Sequence, residues 1–213
     1  MRRDGAIWLL SITAGGIDAL SFVALGAFTS AMSGNAILLG IALSQNHLSD
    51  ASRALLAFAG FIIGVGIASS AGALTPRRVL LIEAVLLGVF AVLWPARVGV
   101  LHPPLALSHN FLPWMTLLAG AAMGIQSVAA RRLGVPGINT VVFTTTVAEI
   151  IGALTAAALG RTPRRIEAKT WCQIGAFLLY VTGAAVLGAL AMHDHLLAAV
   201  PAFVCVVMAA ILA

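Results

Sequence analysis

Eight apolar runs follow one another along this chain with no long soluble segment between them. They cover roughly Ala6 to Leu25, Phe28 to Leu43, Ala54 to Leu74, Val79 to Ala96, Leu112 to Ala130, Ile138 to Leu159, Thr170 to Met192 and Leu196 to Ala213. A helix that crosses a bilayer needs about 20 mostly apolar residues. Lipid also forces every backbone polar group to find its partner inside the protein, which confines such runs to packed helices. Of the 213 residues, 61% are hydrophobic and 9% are charged, against about 25% charged in an ordinary soluble domain. Too few polar side chains remain to cover a wetted surface. The expected fold class is an all-α polytopic membrane protein, one membrane domain over residues 1–213.

The charges then order the runs. Twelve basic residues face seven acidic ones, a net charge of +5. They sit at the ends of apolar runs rather than in one patch. That placement argues against nucleic acid and for anionic headgroups as their partner. Suppose the N-terminus, with Arg2 and Arg3, is cytoplasmic and all runs cross. Arg77-Arg78 and Arg131-Arg132 would then lie outside, against the positive-inside rule. Suppose instead that the second and sixth runs return to the side they came from. Both arginine pairs and the cluster Arg161, Arg164, Arg165 and Lys169 then lie inside, and the Pro103-Pro104 connection and His193 to His195 lie outside. The expected topology is six full transmembrane helices plus two re-entrant or broken helices, with an eight-span chain as the alternative. The start, MRRDGAIWLLSITAGG, imitates a signal peptide. The apolar run continues past it without a good cleavage site, so it reads as a retained first span.

The two halves resemble each other. GIDALSFVALG from Gly16 aligns with GIQSVAARRLG from Gly124, a shift of 108 residues. TSAMSGNAILLG from Thr29 faces TVVFTTTVAEIIG from Thr140, Phe61 faces Phe177, and Gly72-Ala73-Leu74 faces Gly188-Ala189-Leu190. The same order of elements suggests an internal repeat, 1–107 and 108–213. With three crossings per half the second copy enters from the opposite side. That is a 3+3 inverted repeat, an architecture of many secondary transporters.

Polar groups interrupt the runs. Asp18 lies twelve residues into the first one, where an ionisable group costs at least about 2.5 kcal/mol on insertion scales. On a helix it shares a narrow face with Ser11, Ala14, Gly15 and Ser21. Two readings stand: packing glue against another helix, or a proton- or cation-coupling site. Its counterpart in the second half is Gln126, which is polar but cannot titrate. Ser33-Gly34-Asn35 sits where a partial helix would break, and Thr144-Thr145-Thr146 repeats the theme with Glu149 just beyond. Here too a local reading exists, in which Thr146 and Glu149 form a capping box. If both partial helices meet at mid-depth, Asp18, Ser33, Gly34, Asn35, Gln126, Thr144, Thr145, Thr146 and Glu149 line one binding site for a small solute or ion. A half-helix N-terminus there would suit an anion.

Other residues read as structural. Glu83, just past Arg77-Arg78, is expected at the interface, ion-paired or snorkelling. Trp8, Trp94, Trp114 and Trp171 lie near run ends, as interfacial anchors do. Gly60 with Gly64, and Gly183 with Gly188, suit close helix packing. Cys172 and Cys205 lie in apolar segments, which argues against a disulfide framework or zinc site. The histidines are in loops, and His193 and His195 around Asp194 are expected to be solvated rather than metal ligands.

By GGIDALSFVALGAF with MSGN, and AAMGIQSVAARRLG with NTVVFTTT, the chain resembles the YoaK family of bacterial inner-membrane proteins, a domain of unknown function. The likeness runs over nearly the whole chain. Family members usually show Thr-Gly-Asn where this chain has Ser33-Gly34-Asn35, Gln-Asn at Gln126-Ser127 and Thr-Gly-Thr at Thr144-Thr145-Thr146. The resemblance implies a multi-pass protein of the bacterial plasma membrane and no particular substrate. The expected function is a small transporter or channel, proton-coupled through Asp18, with no cofactor and no enzymatic activity. A homodimer would supply walls that 213 residues alone provide sparingly. The alternatives are a structural or accessory membrane protein and, further off, a lipid-modifying enzyme. The sequence has no H-E-x-x-H, no G-x-S-x-G and no close pair of intramembrane carboxylates for such an enzyme.

Overall fold

A computed structural model of the chain describes residues 2–97, 112–134, 143–160, 167–193 and 195–213. These residues form α1 (Arg2–Leu25), α2 (Met32–Ser44), α3 (Leu48–Ser70), α4 (Pro76–Arg97), α5 (Leu112–Leu133), α6 (Phe143–Ala158), α7 (Ala168–Met192) and α8 (Val200–Leu212). Each helix falls on one of the eight apolar runs, and the described residues hold no strand. The Pro103-Pro104 connection, residues 138–142 of the sixth run, Arg161, Arg164, Arg165 and Asp194 lie outside the described residues.

Five helices, α1, α3, α4, α5 and α7, are long and apolar enough to cross a bilayer. The other three are shorter: α2 and α8 have 13 residues and α6 has 16. At about 1.5 Å per residue a 13-residue helix reaches only about 20 Å of a hydrocarbon core about 30 Å thick. Two of the short helices are the ones expected to be partial. The third, α8, was expected to cross fully; Pro201 stands in its first turn, and the chain before it turns rather than coils.

Small residues set the packing. A Cβ added at Gly15 would overlap the Tyr180 carbonyl, and one at Gly183 the Ile12 carbonyl, so α1 and α7 touch backbone to backbone. The same holds for α3 and α5, where Gly60 meets the Leu117 carbonyl, Gly64 that of Ala121 and Gly124 that of Phe61. In both pairs contact positions advance together along the two helices, so the pairs are parallel. Trp8 Nε1 donating to the Cys172 carbonyl (3.3 Å) and Gly188 against Ala19 mark the two ends of the α1–α7 contact. In contrast, α8 runs antiparallel to α1, with Gly5 beside Leu212 and Thr13 Oγ1 3.5 Å from the Ala202 carbonyl. It is antiparallel to α4 as well, with Gly88 beside Phe203 and Trp94 Nε1 donating to the His195 carbonyl (2.9 Å). The start of α3 returns to the end of α1, where Arg53 lies against Gly26.

The α1–α7 and α3–α5 pairings are the most extensive, and α8 on α1 matches α4 on α5. Helix α2 packs on α3 as α6 packs on α7, while α4–α8 and α1–α5 close the bundle. Exchanging each helix for the one four places along maps this set of pairings onto itself. Local geometry repeats too. Gly26 and Gly134, directly after α1 and α5, both adopt left-handed φ, +75° and +68°, the usual glycine stop of a helix.

The core lies along α1 and α5, with Ile7, Leu10, Ile17, Met115, Met123 and Ile125 fully buried. Trp94 is buried with them and bonded to the His195 carbonyl, so it is not an interfacial anchor as its place near a run end suggested. Trp8, Trp114 and Trp171 are exposed. Glu83 is a second correction. It is fully buried rather than interfacial, and among the described residues neither of its oxygens has a hydrogen-bond partner.

Candidate functional site

The link between α1 and α2, Gly26 to Ala31, is non-helical backbone in a chain that cannot leave such groups facing lipid. Two of the expected site residues answer that demand. Asp18 Oδ1 accepts the backbone N–H groups of Thr29 (2.8 Å) and Ser30 (2.7 Å). Asp18 Oδ2 accepts the Ser30 hydroxyl and, from α7, the Tyr180 hydroxyl at 3.0 Å. From the other side Asn35, in the first turn of α2, accepts the Phe28 N–H at 2.9 Å and donates to the Phe28 carbonyl at 2.6 Å. The Phe28 ring stacks on Phe22 with centroids 4.6 Å apart. A Cβ at Gly34 would press to 2.9 Å of that ring, so glycine makes room for it. Asp18 is 2% exposed and Asn35 is fully buried. The result is a latch: two polar side chains from α1 and α2 grip residues 28–30, and Tyr180 ties the grip to α7.

The remaining expected residues lie elsewhere. Ser33 faces outward. Gln126 is buried on α5 and donates to the Leu10 carbonyl of α1 (2.9 Å), two turns before Asp18. Thr144 and Thr145 are exposed, while Thr146 is buried. In the alignment of the two halves Thr146 faces Asn35. The capping-box reading fails because residues 143–145 are already helical, which puts Thr146 inside α6 rather than at its cap. Glu149 turns instead to α7, 2.7 Å from Gln173 Nε2 and 3.0 Å from Lys169 Nζ, at an exposed position. Asp18 and Asn35 are therefore brought together, and Glu149 is held apart from them. Its partner Gln173 lies seven residues before Tyr180 on α7, about 10 Å along the axis.

A cavity of about 670 Å³ opens between the starts of α1 and α7, lined by Trp8, Trp171, Cys172, Gly175 and Leu178 with Asp4 at its edge. Trp8 and Asp18 are ten residues apart on α1, so this groove lies about 15 Å from the latch. Among the described residues no group of three or more His, Cys, Asp or Glu side chains is placed to hold a metal.

A family model described as "Protein of unknown function (DUF1275)" matches residues 6–213. The chain belongs to the DUF1275 family. It is 33% identical over 204 residues to the UPF0700 transmembrane protein YoaK of Bacillus subtilis (strain 168), covering 90% of this chain and 85% of that one. No solved structure matches. The DUF1275 residues that carried the resemblance are thus placed: Asp18 and Asn35 form the latch, and Gln126 leads down α5 to Arg131-Arg132.

Two working residues of this DUF1275 chain were not singled out from sequence. Tyr180 is the one tyrosine in the chain, and that rarity was its only signal. Arg132 was read only as an orientation charge. Its guanidinium caps the end of α3, donating to the carbonyls of Ala68 (2.7 Å), Leu74 (3.0 Å) and Ala71 (3.1 Å), acceptors a helix end leaves open.

Proposed function

We propose that this membrane protein is a small secondary transporter or channel built from two inverted copies of a three-crossing unit. The observation that carries this reading is the exchange symmetry of the helix pairings, with α1 and α4 running against α8 and with α1–α7 and α3–α5 each parallel. Inverted repeats of this kind support alternating access by rocking one unit against the other. In this reading α1, α3, α4, α5 and α7 cross as helices, and α8 crosses together with the turn residues 196–199 before it. Helices α2 and α6 return to the side they entered, and the N-terminus is cytoplasmic in the bacterial plasma membrane. The solute is small and polar, and a homodimer completes the walls. No covalent chemistry is part of the proposal.

Asp18 acts here through the latch. Its oxygens are occupied by Thr29, Ser30 and Tyr180, so its part in the cycle is to hold or release the start of α2 as α7 moves. The full chain in proteoliposomes, challenged under a pH gradient with inorganic anions, carboxylic acids, amino acids and sugars, tests the reading. Uptake of at least one class above protein-free vesicles, slowed in Asp18→Asn, is expected. No flux for any class would leave the accessory-protein reading in its place.

A further inference from the structure

Glu83 is a fully buried carboxyl whose two oxygens meet no hydrogen-bond partner among the described residues. It stands on the inner face of α4 among Val79, Leu80, Ala84, Leu87 and Phe90, all buried. Helix α4 packs on α5 and α8. The titratable or charged side chains of α5 are Arg131 and Arg132, and those of α8 reduce to Cys205. Arg131 donates to the Ser127 hydroxyl (3.2 Å), Arg132 is spent on the end of α3, and Cys205 is only half-buried. On α4 itself Arg77 and Arg78 point outward. Nothing among the described residues therefore neutralises Glu83.

Its place in the bundle follows from the α4–α8 register. Gly88 lies beside Phe203, so five residues back Glu83 is level with about Met208, where α8 offers Val206, Ala209 and Ala210. It sits seven residues past Pro76, about 10 Å into the helix. Asp18 lies deeper from the same side, sixteen residues or about 24 Å past the start of α1. The two buried carboxyls thus occupy different levels and different helix contacts.

An isolated charge in such surroundings is far too costly to persist, and the group is tolerated there only as the neutral acid. We propose that Glu83 is a proton-binding site: its carboxyl group gives up H⁺ to water admitted when α4 and α8 part, and takes H⁺ back before they close. No other reactant is required. The α4–α8 contact joins a helix to its own repeat counterpart, where rocking of the two units would open the bundle. The inference rests on the transport reading for its purpose, naming the proton as coupling ion, yet its test measures no flux.

Full-length protein in liposomes is treated with dicyclohexylcarbodiimide, which partitions into apolar phases and adds to protonated carboxyls, and the labelled peptide is mapped by mass spectrometry. The label is expected on Glu83, falling as buffer pH rises, lost in Glu83→Gln and partly restored in Glu83→Asp. Labelling that ignores pH, or that falls on Asp18 and spares Glu83 in the wild-type protein, would overturn the proposal. The wild-type result decides the matter even if Glu83→Gln folds poorly. Correct labelling beside a flat flux assay would sink the transport reading and leave the proton site standing.

Discussion

The Tyr180 hydroxyl donates to Asp18 Oδ2 across the α1–α7 contact at 3.0 Å. Among the described residues it is the bond by which Asp18 reaches beyond residue 31. It joins the second half of the chain to the link that starts α2.

Tyr180→Phe removes that donor and leaves the backbone donors of Thr29 and Ser30 in place. A hydrogen bond to a charged or buried group is worth about 1–3 kcal/mol. Thermal unfolding in detergent should show a modest drop for Tyr180→Phe and a larger one for Asp18→Asn. The added amide N–H of asparagine would face N–H groups that need an acceptor. Equal effects, or a larger one for Tyr180→Phe, would remove the latch from the account.

Two glycines on α3 make a matched pair. A Cβ at Gly64 would overlap the Ala121 carbonyl, whereas one at Gly66, two residues on, meets nothing within 4 Å. Gly64→Ala must push α3 from α5, a backbone shift costing about 1–3 kcal/mol or more by analogy with overpacked cores. Gly66→Ala should be neutral or slightly stabilising, since alanine is the better helix former. Melting curves of the two variants, together with the yield of monodisperse protein, check this. Similar behaviour of both would mean that α3 and α5 do not pack through Gly64.

The eight elements were legible because apolar runs of this length leave the backbone little choice but helix. The second and sixth were singled out by the placement of the arginine pairs, and they are also the runs with polar interruptions. Asp18 and Asn35 were legible as residues that lipid would not tolerate without a purpose. Which partner each takes was not. Asp18 meets Tyr180 at a separation of 162 residues, and no local spacing encodes such a contact. Glu83 misled because proximity in sequence to Arg77-Arg78 looks like an interfacial ion pair, while the turn of the helix sends the arginines outward and the carboxyl inward. Trp94 misled the same way, since closeness to a run end says nothing about which face of α4 is buried. Glu149 was placed in the site because it follows Thr145 by one turn, but it faces Lys169 on α7.

Arg132 gives a test at the other end of the bundle. Its planar fork serves the carbonyls of Ala68, Ala71 and Leu74 together, a geometry lysine cannot reproduce. Arg132→Lys keeps the charge and should loosen the end of α3. Hydrogen exchange should speed up at residues 68–74 and stay unchanged near the latch at 28–35. Unchanged exchange at the end of α3 would make Arg132 a charge on the surface and nothing more.

The crossing pattern turns on position 47. His47 precedes α3 at an exposed site, 60% accessible at its side chain. The start of α3 lies beside the end of α1 through Arg53 and Gly26, so α2 begins and ends at one level. Single cysteines introduced as His47→Cys and His102→Cys, with Cys172 and Cys205 replaced by serine, report the side directly. With six crossings an impermeant thiol reagent added to intact cells labels both positions. With eight, positions 47 and 102 follow two and four crossings, so both are shielded until the membrane is opened. That second pattern would break the exchange symmetry as a membrane topology, because three crossings per half are what set the two copies in opposite orientation.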